Sequence, residues 1–267
     1  MKEVFYEIFE KAKHGDIDAE YELGLAYAGG LVSKDNKPNY QKATKWFKLA
    51  ADQGHLDSMA SLGIIYARTG KYERAKNLLE KAAELGSVLA QSNLGVFYHK
   101  GEPNGINKDD AKAKKWLEKA AMQGEAEAQN NLALYYLREK NNAMAKDLFE
   151  KSALQDYAPA QANLGVLYKN DVDLKDYAKS VYWLEKAVDN GLAATASFML
   201  GELYEAGGYG IQQDILKACL YYACAYRFID TAMFYLTTDH TNKKITHFDL
   251  KLMARAKLDE LDKQYLK

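Results

Sequence analysis

The chain has 267 residues, and Lys plus Arg (36) nearly balance Asp plus Glu (37), so no excess charge points to nucleic acid or an anionic lipid surface. Proline is scarce, at 3 residues, while Ala, Leu, Lys and Glu are abundant, which suits helices. No stretch approaches the roughly 20 apolar residues that span a bilayer, and Cys219 and Cys224, in one predicted helix without CxxC spacing, read as small buried thiols.

Met1 to Asp16 alternates charged and apolar residues and lacks the apolar run of a signal peptide, so a cytoplasmic protein is expected. A first helix, about Val4 to Lys13, carries Phe5, Ile8, Phe9 and Ala12. It is expected to cover the next helix as an N-terminal cap.

From there one unit recurs six times. A small residue (Ala19, Ser58, Ala90, Ala128, Ala160, Ala196) precedes by four a leucine (Leu23, Leu62, Leu94, Leu132, Leu164, Leu200). Four residues further on stands a tyrosine (Tyr27, Tyr66, Tyr98, Tyr136, Tyr168, Tyr204). Spacing of i, i+4 and i+8 sets the three along one ridge of a helix, here called helix A. Gly follows the Leu at Gly24, Gly63, Gly95, Gly165 and Gly201, with Ala133 in the fourth unit. Repeated use of Gly inside a helix, at about 1 kcal/mol each, argues that a neighbour must come close.

A second helix, B, repeats apolar residues at i, i+3, i+4, i+7 and i+8, as in Ala43, Trp46, Phe47, Ala50, Ala51 and Ala113, Trp116, Leu117, Ala120, Ala121. This stripe is wide enough to bury between two neighbours. Gly54, Gly86, Gly124 and Gly191 follow helix B where a left-handed C-terminal residue belongs, and Asp156 takes that place in the fourth unit.

The loops from A to B are short at Arg68–Lys71 and Arg138–Asn141 and long at Gly29–Asn39, Lys100–Asp110 and Ala206–Asp214. Two long loops read Gly-Ile-x-x-Asp, at Gly105 to Asp109 and Gly210 to Asp214. Their Ile is expected to tuck under the loop and their Asp to cap helix B. After Ile229 the repeat stops. A short helix over Thr231 to Leu236, a polar loop over Thr237 to Lys244, and a last helix to about Leu266 capped by Thr246 and Asp249 are expected. The division is then a six-unit array over 1–230 and a helical cap over 231–267.

The pattern Ala-x3-Leu-Gly-x2-Tyr, then Gly-(Val/Ile)-x2-Asp, then Lys-Ala-x2-Trp-x3-Ala-Ala-x2-Gly resembles the Sel-one-like repeat, the long-loop branch of the tetratricopeptide superfamily. Lys42 to Trp46 and Lys112 to Gly124 match it most closely, and the resemblance runs from about Asp16 to Ile229. Ala133, an added residue within Gly191 to Ala196, and the tyrosine-rich stretch with Tyr221, Tyr222 and Tyr226 depart from it. The resemblance implies an all-α fold, a right-handed α-α superhelix of antiparallel helix pairs with helix A on the concave side. It also implies protein–protein interaction by a scaffold or adaptor, with a bacterial cytoplasmic immunity protein that neutralises a toxin as runner-up. Hydrolase activity is a remote alternative, because the relatives linked to it are secreted and carry paired cysteines.

No catalytic constellation stands out. His14, His55, His99, His240 and His247 are scattered without metal-ligand spacing. Gly207-Gly208-Tyr209-Gly210 lacks the strand and the Lys-Ser/Thr of a phosphate loop. Neither cofactor, metal, small-molecule substrate, nucleic acid nor membrane is expected.

The residue before the central Leu is Asn93, Asn131 and Asn163 in the third to fifth units. An unpaired amide is not tolerated in a core, so these side chains are expected to face out from helix A, where each offers a donor and an acceptor to an extended peptide. Ser92, Asn130 and Tyr21 share that face, and Leu25, Ile64, Val96, Leu134 and Val166, two after the Leu, make its apolar floor. The other reading is that the asparagines solvate a face or help repeats pack.

Overall fold

A computed structural model describes residues 2–32, 36–101, 107–208, 210–227 and 247–265. It is all-α, with fourteen helices among the described residues. After α1 (Lys2–Lys13) come six antiparallel pairs of A and B helices. They are α2 (Ile17–Ala28) with α3 (Tyr40–Asp52), α4 (Leu56–Arg68) with α5 (Tyr72–Glu84), and α6 (Val88–Lys100) with α7 (Asp110–Met122). Then follow α8 (Ala126–Arg138) with α9 (Asn142–Ala153), α10 (Ala158–Asn170) with α11 (Tyr177–Asp189), and α12 (Ala193–Ala206) with α13 (Ile215–Arg227). A last helix, α14, spans His247–Tyr265. The chain forms two compact parts, Met1–Ala128 and Gln129–Lys267, which divide inside α8.

In the first part, Phe47 of α3 is buried with Leu62 and Ile65 of α4. The helix-A glycines do what their cost implied. A Cβ added at Gly95 would lie 2.5 Å from Leu117, and one at Gly63 would lie 2.7 Å from Leu79. Helix α1 lies on α2 and α3, burying Ala12 with Ala19 and Leu23, and its Phe9 ring meets Trp46 edge-on at 6.1 Å.

In the second part, Ala133, Ala145, Phe149 and Leu164 form one cluster, and Leu184, Leu192 and Leu200 belong to the next. Gly165 repeats the close approach against Leu184 at 2.7 Å. Helix α14 packs on α12 and α13, with Ala254 and Leu261 buried beside Phe198 and Tyr222. Lys257 and Tyr222 both reach Glu205, at 3.1 and 2.6 Å.

Several helix starts are capped by polar side chains. Asp109 and Asp214 accept from the backbone N–H groups of Lys112 and Lys217 at 2.9 and 3.0 Å, as their loop motif predicts. His55 does the same for α4, its Nδ1 accepting from Ser58 N at 3.1 Å. After the B helices, Gly86 and Asp156 take left-handed φ values of 100° and 59°. In the long loop before α13, an isolated bridge pairs Gly208 with Ile211. The Gly105–Ile106 half of the other loop motif, residues 231–244 and the Thr246 cap lie outside the described residues.

Candidate functional site

In the first part, the N-terminal turns of α4 and α6 and the first residues of α8 enclose a groove of about 660 Å³. Leu56, Val88 and Leu89 give it apolar wall, and Asp57, Glu125 and Glu127 give it carboxylates. Ser92 and Asn93 line it as well. Ser92 Oγ donates to Glu125 Oε2 at 3.2 Å, and Asn93 Nδ2 donates to the Leu89 carbonyl of its own helix at 2.8 Å. Across the groove Ser87 Oγ donates to Asp57 Oδ1 at 3.0 Å. These bonds fix the side chains that a ligand would meet.

The other expected residues of this part lie elsewhere on the A helices. Leu25 is exposed, and Ile64 and Val96 are half-buried. Tyr21 is spent on the core: its ring lies 5.8 Å from Phe47 and 4.7 Å from His55, and burial pushes its phenol up.

In the second part the asparagines depart from expectation. Asn130 and Asn163 do not face outward; each is 4% exposed. Asn163 Nδ2 donates to Asn130 Oδ1 at 2.7 Å, linking α10 to α8, and Asn130 Nδ2 donates to Asn131 Oδ1 at 3.3 Å. A buried amide is tolerated when another amide on the neighbouring helix pairs with it. Only Asn93 and Asn131 are half-exposed. Leu134 and Val166 pack partly on the cores beneath them. Asn163 and Val166 nevertheless line a pocket of about 330 Å³ with Leu137, Asn142, Leu167 and Asp171.

A second set of amides escaped the sequence reading. Three residues before the central Leu stand Glu20, Gln91, Gln129 and Gln161, all buried. Each accepts from a side chain just past the end of its own B helix: Gln53 at 2.9 Å, Gln123 at 2.8 Å, Gln155 at 2.9 Å and Asn190 at 3.0 Å. Gln91 and Gln161 also donate backward, to the Ala83 and Ala153 carbonyls of the preceding B helix, each at 3.0 Å. The signal was available: a polar residue recurs at a position that the ridge of small residue, Leu and Tyr places near the core.

Tyrosines of the ridge are also shared. Tyr98 and Tyr168 donate to Glu80 and Glu150 of the B helix before them, at 2.5 and 2.9 Å. Burial, then the carboxylate beside it, pushes the Tyr168 phenol up to about 12. Lys112 and Lys179 lie over the same two rings at 5.2 and 5.3 Å. Among the described residues, no three His, Cys, Asp or Glu side chains converge to hold a metal ion, and no helix is long and apolar enough to cross a membrane.

The profile of the Sel1 repeat matches residues 17–55, 88–125, 126–157, 158–192 and 194–227, well over half of the chain. The chain belongs to the Sel1 repeat family. The short-looped repeat between the first two matches, residues 55–86, fits a tetratricopeptide repeat instead. Among its relatives is a sel1-like repeat-containing protein of Acanthamoeba polyphaga mimivirus, 33% identical over 91 residues. That alignment takes in 34% of this Sel1 repeat chain and 16% of the viral protein. A crystal structure of a Sel1 repeat protein from Oxalobacter formigenes is 29% identical and superposes with a TM-score of 0.59, over 84% of this chain and 66% of the other. An immunity protein of Pseudomonas aeruginosa shares the fold at 20% identity and a TM-score of 0.52, over 92% of this chain and 82% of its own.

Proposed function

We propose that this Sel1 repeat protein is a non-catalytic scaffold of the cytoplasm that binds another protein, taking an extended segment of it on the helix-A side. The observation that carries this reading is the groove among α4, α6 and α8. It runs across the starts of successive A helices, and combines apolar wall (Leu56, Val88, Leu89) with pre-set polar edges (Ser92, Asn93). A peptide needs that mixture, because its side chains seek burial and its backbone seeks partners.

The test is capture of partners from a native extract of the source cell by the immobilised full chain, read by mass spectrometry. The control chain carries Val88→Arg and Asn93→Arg, which fill the groove from half-exposed positions. Capture of the specific partner should fall at least about tenfold, or 1.4 kcal/mol, with the melting temperature kept. Undiminished capture would end the groove reading.

The second reading is an immunity protein. It draws on the fold shared with the Pseudomonas aeruginosa immunity protein, and the fold alone is what 20% identity carries. A tight stoichiometric complex with a toxin encoded by an adjacent gene would favour it over an adaptor with several weak partners.

A further inference from the structure

The pocket beside Asn163 differs from the groove in one respect. Asn163 is 4% exposed, and its Oδ1 has no hydrogen-bond partner although its Nδ2 is committed to Asn130. A buried carbonyl oxygen left bare is destabilising. Next to it stands Asp171, whose Oδ1 accepts from the backbone N–H groups of Asp173 and Leu174 at 3.0 and 2.9 Å, and whose Oδ2 accepts from Asn142 Nδ2.

A carboxylate offers about four lone-pair sites and an amide oxygen two. Of the pocket's three amides, those of Asn142 and Asn163 have a donor already engaged, and Asn170 stands exposed, so the buried part of the pocket presents chiefly acceptors. No Lys, Arg or His lines it. Its remaining wall is Leu137, Val166 and Leu167, with Val172 at the rim 89% exposed and the exposed amide of Asn170 beside it. At about 330 Å³ it is at the small end of ligand sites and suits one side chain.

We propose that this pocket is the seat for a single long cationic side chain, lysine or arginine, of a bound partner. The aliphatic stem packs on Leu137, Val166 and Leu167. The charged head meets the Asp171 carboxylate and supplies the donor that Asn163 Oδ1 lacks. Charge-assisted bonds are the strong kind, and a stem–head division of this sort is how lysine and arginine bury apolar length. The inference rests on the proposal that the chain binds a protein, and names one feature of the partner's chemistry.

The probes are acetylated, amidated tripeptides with Lys, Arg, norleucine or Glu between two alanines, titrated into the full ¹⁵N-labelled chain. Expected is that the Lys or Arg peptide moves the side-chain amide signals of Asn163 and Asn142 and the backbone signal of Val172, saturating in the millimolar range typical of one side chain. Norleucine and Glu peptides should bind at least fivefold more weakly. Val172→Trp, at an exposed rim position, should block the site without touching the fold, and Asp171→Asn should weaken the cationic peptides at least fivefold. The proposal is overturned if norleucine equals lysine, if Val172→Trp changes nothing, or if the shifts fall away from these residues. If the cationic peptides seat as described while the groove-filled chain still captures its partner, the pocket assignment stands and the groove reading falls. If groove filling abolishes capture and the peptides ignore the pocket, the reverse holds.

Discussion

Gln123 donates its side-chain amide to Gln91 Oε1 at 2.8 Å, and Gln91 hands its own amide to the Ala83 carbonyl at 3.0 Å. One side chain thereby ties the ends of α5 and α7 together. The second repeat does without this link, carrying Met59 and Leu85 at the two positions. Gln91→Met alone should cost about 1–2 kcal/mol, because a buried carbonyl loses its donor. The pair Gln91→Met with Gln123→Leu should cost less than the sum of the two single changes, since it recreates the second repeat's arrangement. Urea denaturation of the four chains checks this; strict additivity would show that the two amides do not act together.

Glu20 occupies the place that glutamine holds in three other repeats, and it is 3% exposed. Desolvation raises its carboxyl above the ordinary 4.5, although the bond from Gln53 opposes the shift. An acid whose pKa is raised by folding holds its proton longer in the native state. Stability therefore falls as pH climbs from the unfolded-state pKa through the folded one, and stays reduced at neutral pH. Glu20→Gln should remove that loss and raise stability at pH 7, with a new amide donor available for the end of α1. Thermal melts of both chains from pH 4 to 8 decide it. Equal curves, or a less stable variant at pH 7, would contradict the assignment.

Gly95→Ala sets two effects against each other. Alanine gains about 1 kcal/mol of helix propensity over glycine, but its Cβ would come within 2.5 Å of the Leu117 side chain. Overpacking of this kind costs roughly 1–3 kcal/mol, so a net loss is expected. Ala133→Gly, at the equivalent place in α8, should lose about 1 kcal/mol for the opposite reason. Denaturant midpoints separate the cases, and a stabilised Gly95→Ala chain would mean that α6 and α7 lie further apart than described.

The asparagines are expected to part company. Asn130→Ala takes the acceptor from the buried amide of Asn163, whose Oδ1 is already bare, and should cost about 1–3 kcal/mol. Asn93→Ala loses only a bond to its own helix's Leu89 carbonyl at a half-exposed position and should cost under about 0.5 kcal/mol. Melting curves of the two single variants test this; equal losses would refute it.

Much of this architecture could be read from residue spacing. The ridge from Ala90 through Leu94 to Tyr98, the glycine after the leucine, and Asp109 and Asp214 at helix starts each act through local geometry, which spacing encodes. The site was less legible. Whether Asn163 faces solvent depends on Asn130, 33 positions away on another helix, and nothing in one helix's period says that a partner amide waits there. Tyr21 shares a helical face with the groove positions by count, yet its ring turns to Phe47. The glutamine links were visible as a recurring residue, but their meaning needed the end of helix B beside them.

Those links have a bearing on how such a protein can change size. Gln91 finds its partners only in its own repeat and the one directly before it, the farther of them 32 positions along the chain. Duplicating or deleting a complete repeat would keep both of these links, because one lies inside the repeat and the other ends on a backbone carbonyl, while a fractional step would strand buried amides. Growth by whole modules is thus the permitted route, and a binding surface can be extended without reworking what already exists.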